Sequence, residues 1–144
     1  MMTNTEAIER LSSLIQLDID AVHAYEQALQ QIDDSAVHAR IAAFRDDHQQ
    51  HVQELSAHVV SLGGEPPRFS PDFKGFIIQG FTALRSMTGT RGALNAMEGN
   101  EKLTNGKYEE ALAWDVSPEA AALVRKNFVD ERRHLVYIKD ALRE

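Results

Sequence analysis

The chain has 144 residues, 43% of them hydrophobic, a formal net charge of −7 at pH 7 and no cysteine. This size and hydrophobic fraction suit one domain over residues 1–144 with a real core. The negative balance argues against nucleic acid or an anionic membrane surface as partner. The lack of cysteine excludes disulfides, thiolate metal sites, iron–sulfur clusters and thiol nucleophiles. Any bound metal must use oxygen and imidazole nitrogen, donors that suit iron, manganese, zinc or copper(II). The polar start MMTNTEAIER lacks a basic stretch followed by an apolar core. No apolar run approaches the ~20 residues of a membrane span. A cytoplasmic protein is therefore expected.

A first helix is expected to start at Thr3 to Thr5, because Thr3 and Glu6 have capping-box spacing. Apolar residues then recur with a helical period at Leu11, Leu14, Val22, Tyr25, Leu29 and Ile32. Asp33-Asp34-Ser35 breaks that pattern and caps a second helix, which carries Val37, Ile41, Phe44, Leu55, Val59 and Leu62. Gly63-Gly64 stops it. Residues 65–74 (EPPRFSPDFK) are longer than a tight helix–helix turn needs. They are expected to cross the length of a bundle between helices two and three. A third helical region is expected from Gly75 to Ala113, broken or kinked at Gly89, Thr90 and Gly92. Ser117-Pro118-Glu119 opens a fourth helix that runs to about Leu142, with Ser as cap and Pro at the first position. No strand pattern competes, so the expected class is all-α, an antiparallel four-helix bundle.

The chain also repeats itself. Tyr25-Glu26-Gln27-Ala28-Leu29 matches Tyr108-Glu109-Glu110-Ala111-Leu112, and a carboxylate, Asp18 or Glu101, stands at the same distance before each tyrosine. His48-x-x-His51 precedes Leu55 at the offset at which Glu131-x-x-His134 precedes Ile138. Two helical hairpins therefore each carry an acid on the first helix and an i, i+3 pair on the second.

At about 100° per residue, Asp18 falls within roughly 40° of Leu11, Leu14, Val22, Tyr25, Leu29 and Ile32. Asp20 and His23 fall near the opposite face, where solvent is expected. Glu101 falls among Leu94, Met97, Tyr108 and Leu112, with Glu98 toward the edge. His48 and His51 lie in the second apolar stripe, and Glu131 and His134 in the fourth. A lone Asp or His on an apolar face is ordinarily a hydrogen-bonded core residue, and an isolated Glu-x-x-His carries little weight. Six inward-facing groups with repeat symmetry are different. Charged carboxylates in a core cost several kcal/mol unless compensated. No Lys or Arg lies centrally in these stripes; Arg40 comes closest. One or two divalent cations are the simplest compensation for three acids and three imidazoles. The candidate metal ligands are thus Asp18, His48, His51, Glu101, Glu131 and His134. Tyr25 and Tyr108 are expected to hydrogen-bond ligand carboxylates, and Asp47 and Asn105 to support or replace ligands. His58 is expected at the surface or edge, and Trp114 at a helix end.

An acid on helix one, a pair on helix two, an acid on helix three and Glu-x-x-His on helix four resemble the ferritin-like superfamily. The spacing of Asp18 to Tyr25 and of Glu131 to His134 resembles its rubrerythrin branch. The segments LSAHVVSLGGEP (55–66), FTALRSMTG (81–89) and Tyr108 to Leu112 resemble a bacterial family of uncharacterised ferritin-like four-helix proteins. The resemblance implies two metal ions between the helices, iron first with zinc or manganese as alternatives, and reaction with oxygen or peroxide as a ferroxidase or peroxidase. Carried over by position, the ligands are Asp18, His51, Glu101, Glu131 and His134. His48 stands where the superfamily has Glu, and Asp18 where it usually has the longer Glu. No cysteine-based rubredoxin-like tail is present, so an electron donor would be a separate molecule. A homodimer is the oligomer that the resemblance suggests. The competing readings are a non-catalytic metal-binding or stress-associated bundle, and a scaffold whose polar core specifies register.

Overall fold

The computed structural model describes residues 2–69 and 88–144, and the described residues contain helices and no strand. The helices are α1 (Asn4–Leu29), α2 (Ser35–Ser61), α3 (Gly89–Ala111) and α4 (Pro118–Arg143). The caps follow from local chemistry. The Thr3 hydroxyl accepts from the Glu6 amide and Asp34 Oδ1 from the Val37 amide, at 3.2 and 3.0 Å. Ser117 Oγ accepts from the Ala120 amide at 3.2 Å, with Pro118 next in line. Helix α2 ends in a Schellman turn: Gly64 N–H donates to Val59 O and Gly63 N–H to Val60 O, at 3.0 and 2.9 Å. Gly63 adopts φ +87, which glycine tolerates without strain. A Cβ on Gly64 would meet Ile8 Cγ2 at 2.8 Å, so any larger residue there would force the Ile8 side chain to move.

The expected break near Gly89 is the start of a helix: α3 begins there, with Gly89 at φ +66. Residues 70–87, which include the end of the expected crossover segment and the expected helical stretch before Gly89, lie outside the described residues.

Cross-helix pairs fix the topology. Asp18 meets Tyr108 and Tyr25 meets Glu101, so α1 and α3 run antiparallel. His51 meets Asp130 and Asp47 meets His134, so α2 and α4 do too. Since α1 also opposes α2, helices α2 and α3 point the same way. Gly64 sits by Ile8 near the start of α1, whereas Thr90 Oγ1 accepts from the Asp33 and Asp34 amides beyond its end. The connection from α2 to α3 therefore joins opposite ends of a bundle about 40 Å long. A connection that crosses the bundle is thus required, while the expected crossing segment 65–74 lies outside the described residues from residue 70 on. None of the helices among the described residues is long and apolar enough to cross a membrane.

The core is divided along the axis. One apolar cluster gathers Tyr25, Ile32, Ile41, Phe44, Met97 and Ile138. The other gathers Leu11, Ile15, Leu55, Val59, Tyr108 and Val124. Between them lies a layer of buried polar side chains. Two expectations fail at the edges. Asp20 is only 5% exposed, because its neighbours Leu17, Ile19, Ala21 and Ala24 are buried as well. Helix α1 is covered around most of its circumference at this level, and Asp20 Oδ1 accepts from Gln16 Nε2 at 3.0 Å. His23 is half-buried against the Phe69 ring. Leu112 is 43% exposed, because it caps α3 beyond the end of the buried stripe.

Candidate metal centre

Each helix contributes to the polar layer. Helix α1 supplies Asp18, α2 supplies His48 and His51, α3 supplies Glu101, and α4 supplies Glu131 and His134. All six side chains are fully buried. The i, i+3 spacing on α2 and α4 projects both members of each pair to one side, and the flanking apolar residues turn that side inward. The six residues chosen from sequence are thus brought together.

They form two overlapping groups, Asp18–His48–His51–Glu131 and His48–Glu101–Glu131–His134, each with ligand atoms within 4.8 Å of one another. Asp18 Oδ1 lies 2.7 Å from His48 Nδ1 and 3.0 Å from His51 Nδ1. Glu101 Oε1 lies 2.9 Å from His134 Nδ1 and 3.3 Å from His48 Nε2. Glu131 belongs to both groups. Its Oε2 is 3.3 Å from His134 Nδ1 and 3.4 Å from His48 Nε2, and its Oε1 is 3.9 Å from His51 Nδ1.

A supporting ring holds these groups in place. Tyr108 OH donates to Asp18 Oδ2 at 2.5 Å and Tyr25 OH to Glu101 Oε1 at 2.6 Å, so each tyrosine serves the acid of the other repeat. Thr104 donates to Glu101 Oε2 at 2.9 Å. Asn127 Nδ2 donates to the Tyr108 hydroxyl at 3.2 Å. His51 Nε2 lies 2.8 Å from Asp130 Oδ2, and His134 Nε2 lies 2.8 Å from Asp47 Oδ2. Arg133 Nη2 bridges both aspartates, donating to Asp47 Oδ2 at 2.9 Å and to Asp130 Oδ1 at 3.0 Å. Asn105 donates to the Glu101 and Glu131 carbonyls at 2.7 and 2.9 Å, tying α3 to α4 through backbone.

The electrostatics follow from this crowding. Burial pushes Asp18 up, but the His51 charge and hydrogen bonds from His48 and His51 outweigh it and leave the carboxyl at about 2. Glu101 resists burial in the same way and is held well below the usual range by His134 and His48. Burial opposes protonation of the imidazoles, yet Asp18 and Asp130 raise His51 to about 9, and Asp47 and Glu101 raise His134 to about 10. His48 is raised well above its ordinary value by Glu131 and Asp18 against its burial. Glu131 is the exception among the acids. Burial, reinforced by the charges of Glu101 and Asp18, lifts it to about 7 despite His48 and His134.

These residues fit a metal. Both Glu131 oxygens are buried without a hydrogen-bond partner, an arrangement that normally costs 1–3 kcal/mol or more. His51 and His134 direct Nε2 to an aspartate, so a neutral ring turns the lone pair of Nδ1 on a carboxylate oxygen. Two acceptors at about 3 Å need a proton or a cation between them. A divalent cation in each ligand group would take the place of these protons and satisfy the Glu131 oxygens. Carboxylates hydrogen-bonded behind the imidazoles are the usual support for metal-binding histidine.

Residues 6–114 match the family described as Domain of unknown function (DUF2383), and the match covers most of the chain. The chain belongs to the DUF2383 family. In this DUF2383 chain the matched region contains Asp18, His48, His51 and Glu101 and ends before Glu131 and His134. No curated protein matches the chain.

Sequence reasoning missed four supporting residues of this site: Asp130, Arg133, Thr104 and Asn127. The first was legible. Asp47-His48-x-x-His51 and Asp130-Glu131-x-x-His134 show that the repeat extends one residue further toward the N-terminus. The other three left no repeat signal.

Proposed function

We propose that this protein is a ferritin-like bundle that binds two divalent cations, iron first and zinc or manganese as alternatives, and reacts with oxygen or peroxide as a ferroxidase or peroxidase does. One observation carries the reading: Glu131, fully buried with both oxygens facing imidazoles but without a hydrogen-bond partner, lies where the two ligand groups overlap. In this reading Asp18 and His51 would hold one cation, Glu101 and His134 would hold the other, and Glu131, common to the two groups, would contribute to each. Metal ions bound there would supply the one-electron chemistry that these side chains lack. The chain's own part is to bind and orient. Tyr25 and Tyr108 are pushed well above their ordinary pKa by burial and by the facing carboxylates, so they stay neutral donors that fix Glu101 and Asp18. Asp47 and Asp130 hold the rotation and tautomer of the rings. The two apolar clusters exclude water from above and below.

A second reading has its own support. Asp18 and Glu101 are hydrogen-bonded throughout and the imidazoles can hold protons, so the layer can be partly charge-balanced without metal and serve only to fix helix register.

The test is to load the protein with ferrous iron without air and mix it with oxygen or peroxide in a stopped-flow instrument. Oxidation faster than that of ferrous iron in the same buffer, lost in Glu131→Gln, is the expected result. Bound iron oxidised no faster than the free ion would leave a non-catalytic metal bundle, and a failure to bind iron, manganese or zinc would leave the scaffold.

A further inference from the structure

His48 faces both ligand groups with different atoms. Its Nδ1 is 2.7 Å from Asp18 Oδ1, whereas its Nε2 is 3.3 Å from Glu101 Oε1 and 3.4 Å from Glu131 Oε2. A neutral imidazole has one N–H and one lone pair, so it can donate on one side and ligate on the other. The short contact identifies the donor side. Asp18 Oδ1 also faces His51 Nδ1 at 3.0 Å, and His51 commits its other nitrogen to Asp130. Once a cation takes His51 Nδ1, that ring keeps one proton, directed to Asp130, and offers none to Asp18. The proton in the Asp18 cluster then comes from His48 Nδ1, and the His48 Nε2 lone pair turns toward Glu101, Glu131 and His134.

We propose that the two metal positions are unequal, because His48 completes the Glu101 position and only supports Asp18 at the other. The Glu101 position then has four protein ligands: His48 Nε2, Glu101, Glu131 and His134 Nδ1. The Asp18 position has three: Asp18, Glu131 and His51 Nδ1. Four nitrogen and oxygen donors suit a tightly held cation, while three leave an open coordination position. A single divalent cation therefore fills the Glu101 position first, and the Asp18 position binds the second, more weakly. A chain with Glu in place of His48 would have no such asymmetry, since a carboxylate can give one oxygen to each cation. This inference rests on the metal-binding reading above.

The test is titration of the full chain, stripped of metal, with cobalt(II) alone. Visible absorption and calorimetry would be followed together, and circular dichroism would confirm the fold of each variant. Two steps are expected, separated in affinity by about ten-fold or more. Asp18→Asn and His51→Gln should keep the first step and remove the second, whereas Glu101→Gln and His134→Gln should remove the first. Anomalous scattering from wild-type crystals with one equivalent of zinc should place the ion beside Glu101 and His134, which needs no variant. Two equivalents of equal affinity, a first step lost in Asp18→Asn, or a lone zinc beside His51 would overturn the proposal. A folded wild-type chain that binds no cobalt would overturn the metal-binding reading along with it.

Discussion

Replacing Glu131 with glutamine should make the metal-free protein more stable and the metal-treated protein less stable. The carboxyl moves from 4.5 in the unfolded chain to about 7 in the fold, so ionising it costs about 3 kcal/mol more in the folded state. The sign follows from the raised value. Its contribution to stability is fully present below 4.5 and is lost as pH rises through about 7. Glutamine has nearly the same shape and does not ionise. For a chain of this length, about 3 kcal/mol corresponds to roughly 10 °C in melting temperature. Melts followed by circular dichroism in a chelator should therefore nearly coincide at about pH 5 and separate by up to about 10 °C at about pH 8, with Glu131→Gln higher. Excess zinc or manganese should reverse the order at the higher pH, since a cation that binds only the folded state stabilises it by mass action. A variant that is less stable than wild type in chelator at about pH 8 would refute the electrostatic reasoning. One that gains as much from metal as wild type would remove Glu131 from the site.

Further outcomes follow from the supporting ring and the turns. Asp47→Asn and Asp130→Asn should each weaken metal binding by about ten- to hundred-fold without unfolding the chain, as measured by calorimetry; unchanged affinity would show that these aspartates do not orient the rings. His48→Glu adds an anionic ligand that favours ferric iron, so stopped-flow absorbance should show faster aerobic oxidation of ferrous iron. A slower variant would mean that the imidazole acts as a functional ligand in its own right. Gly63→Ala must place a Cβ at φ +87 and should cost about 1 kcal/mol in urea unfolding; a neutral result would argue against the Schellman turn.

The bundle was legible because its signals are local and agree with one another. Thr3, Asp34 and Ser117 cap as their side-chain chemistry requires, Gly63-Gly64 ends α2, and a 3.6-residue period points each apolar stripe inward. The polar layer was legible because the repeat placed ionisable groups in the middle of those stripes. What escaped depends on neighbouring helices. The burial of Asp20 reflects cover on a second side of α1, which a single helical wheel cannot show. The pairing of His51 with Asp130 and of His134 with Asp47 crosses from α2 to α4, so no spacing within one helix reveals which aspartate meets which ring. The unequal roles of the two His48 nitrogens depend on ring orientation, which residue spacing does not encode.

The central claim is that the buried layer holds metal, and the most direct measurement is the metal content of the full chain. The protein would be reconstituted with ferrous iron without oxygen, separated from free ion by gel filtration, and analysed by mass spectrometry of the elements beside a Glu131→Gln, His134→Ala variant. The account predicts two bound ions per chain, one for each ligand group, and their loss in the variant. Wild-type protein that emerges folded and free of iron, or a variant that retains as much iron as wild type, would contradict it.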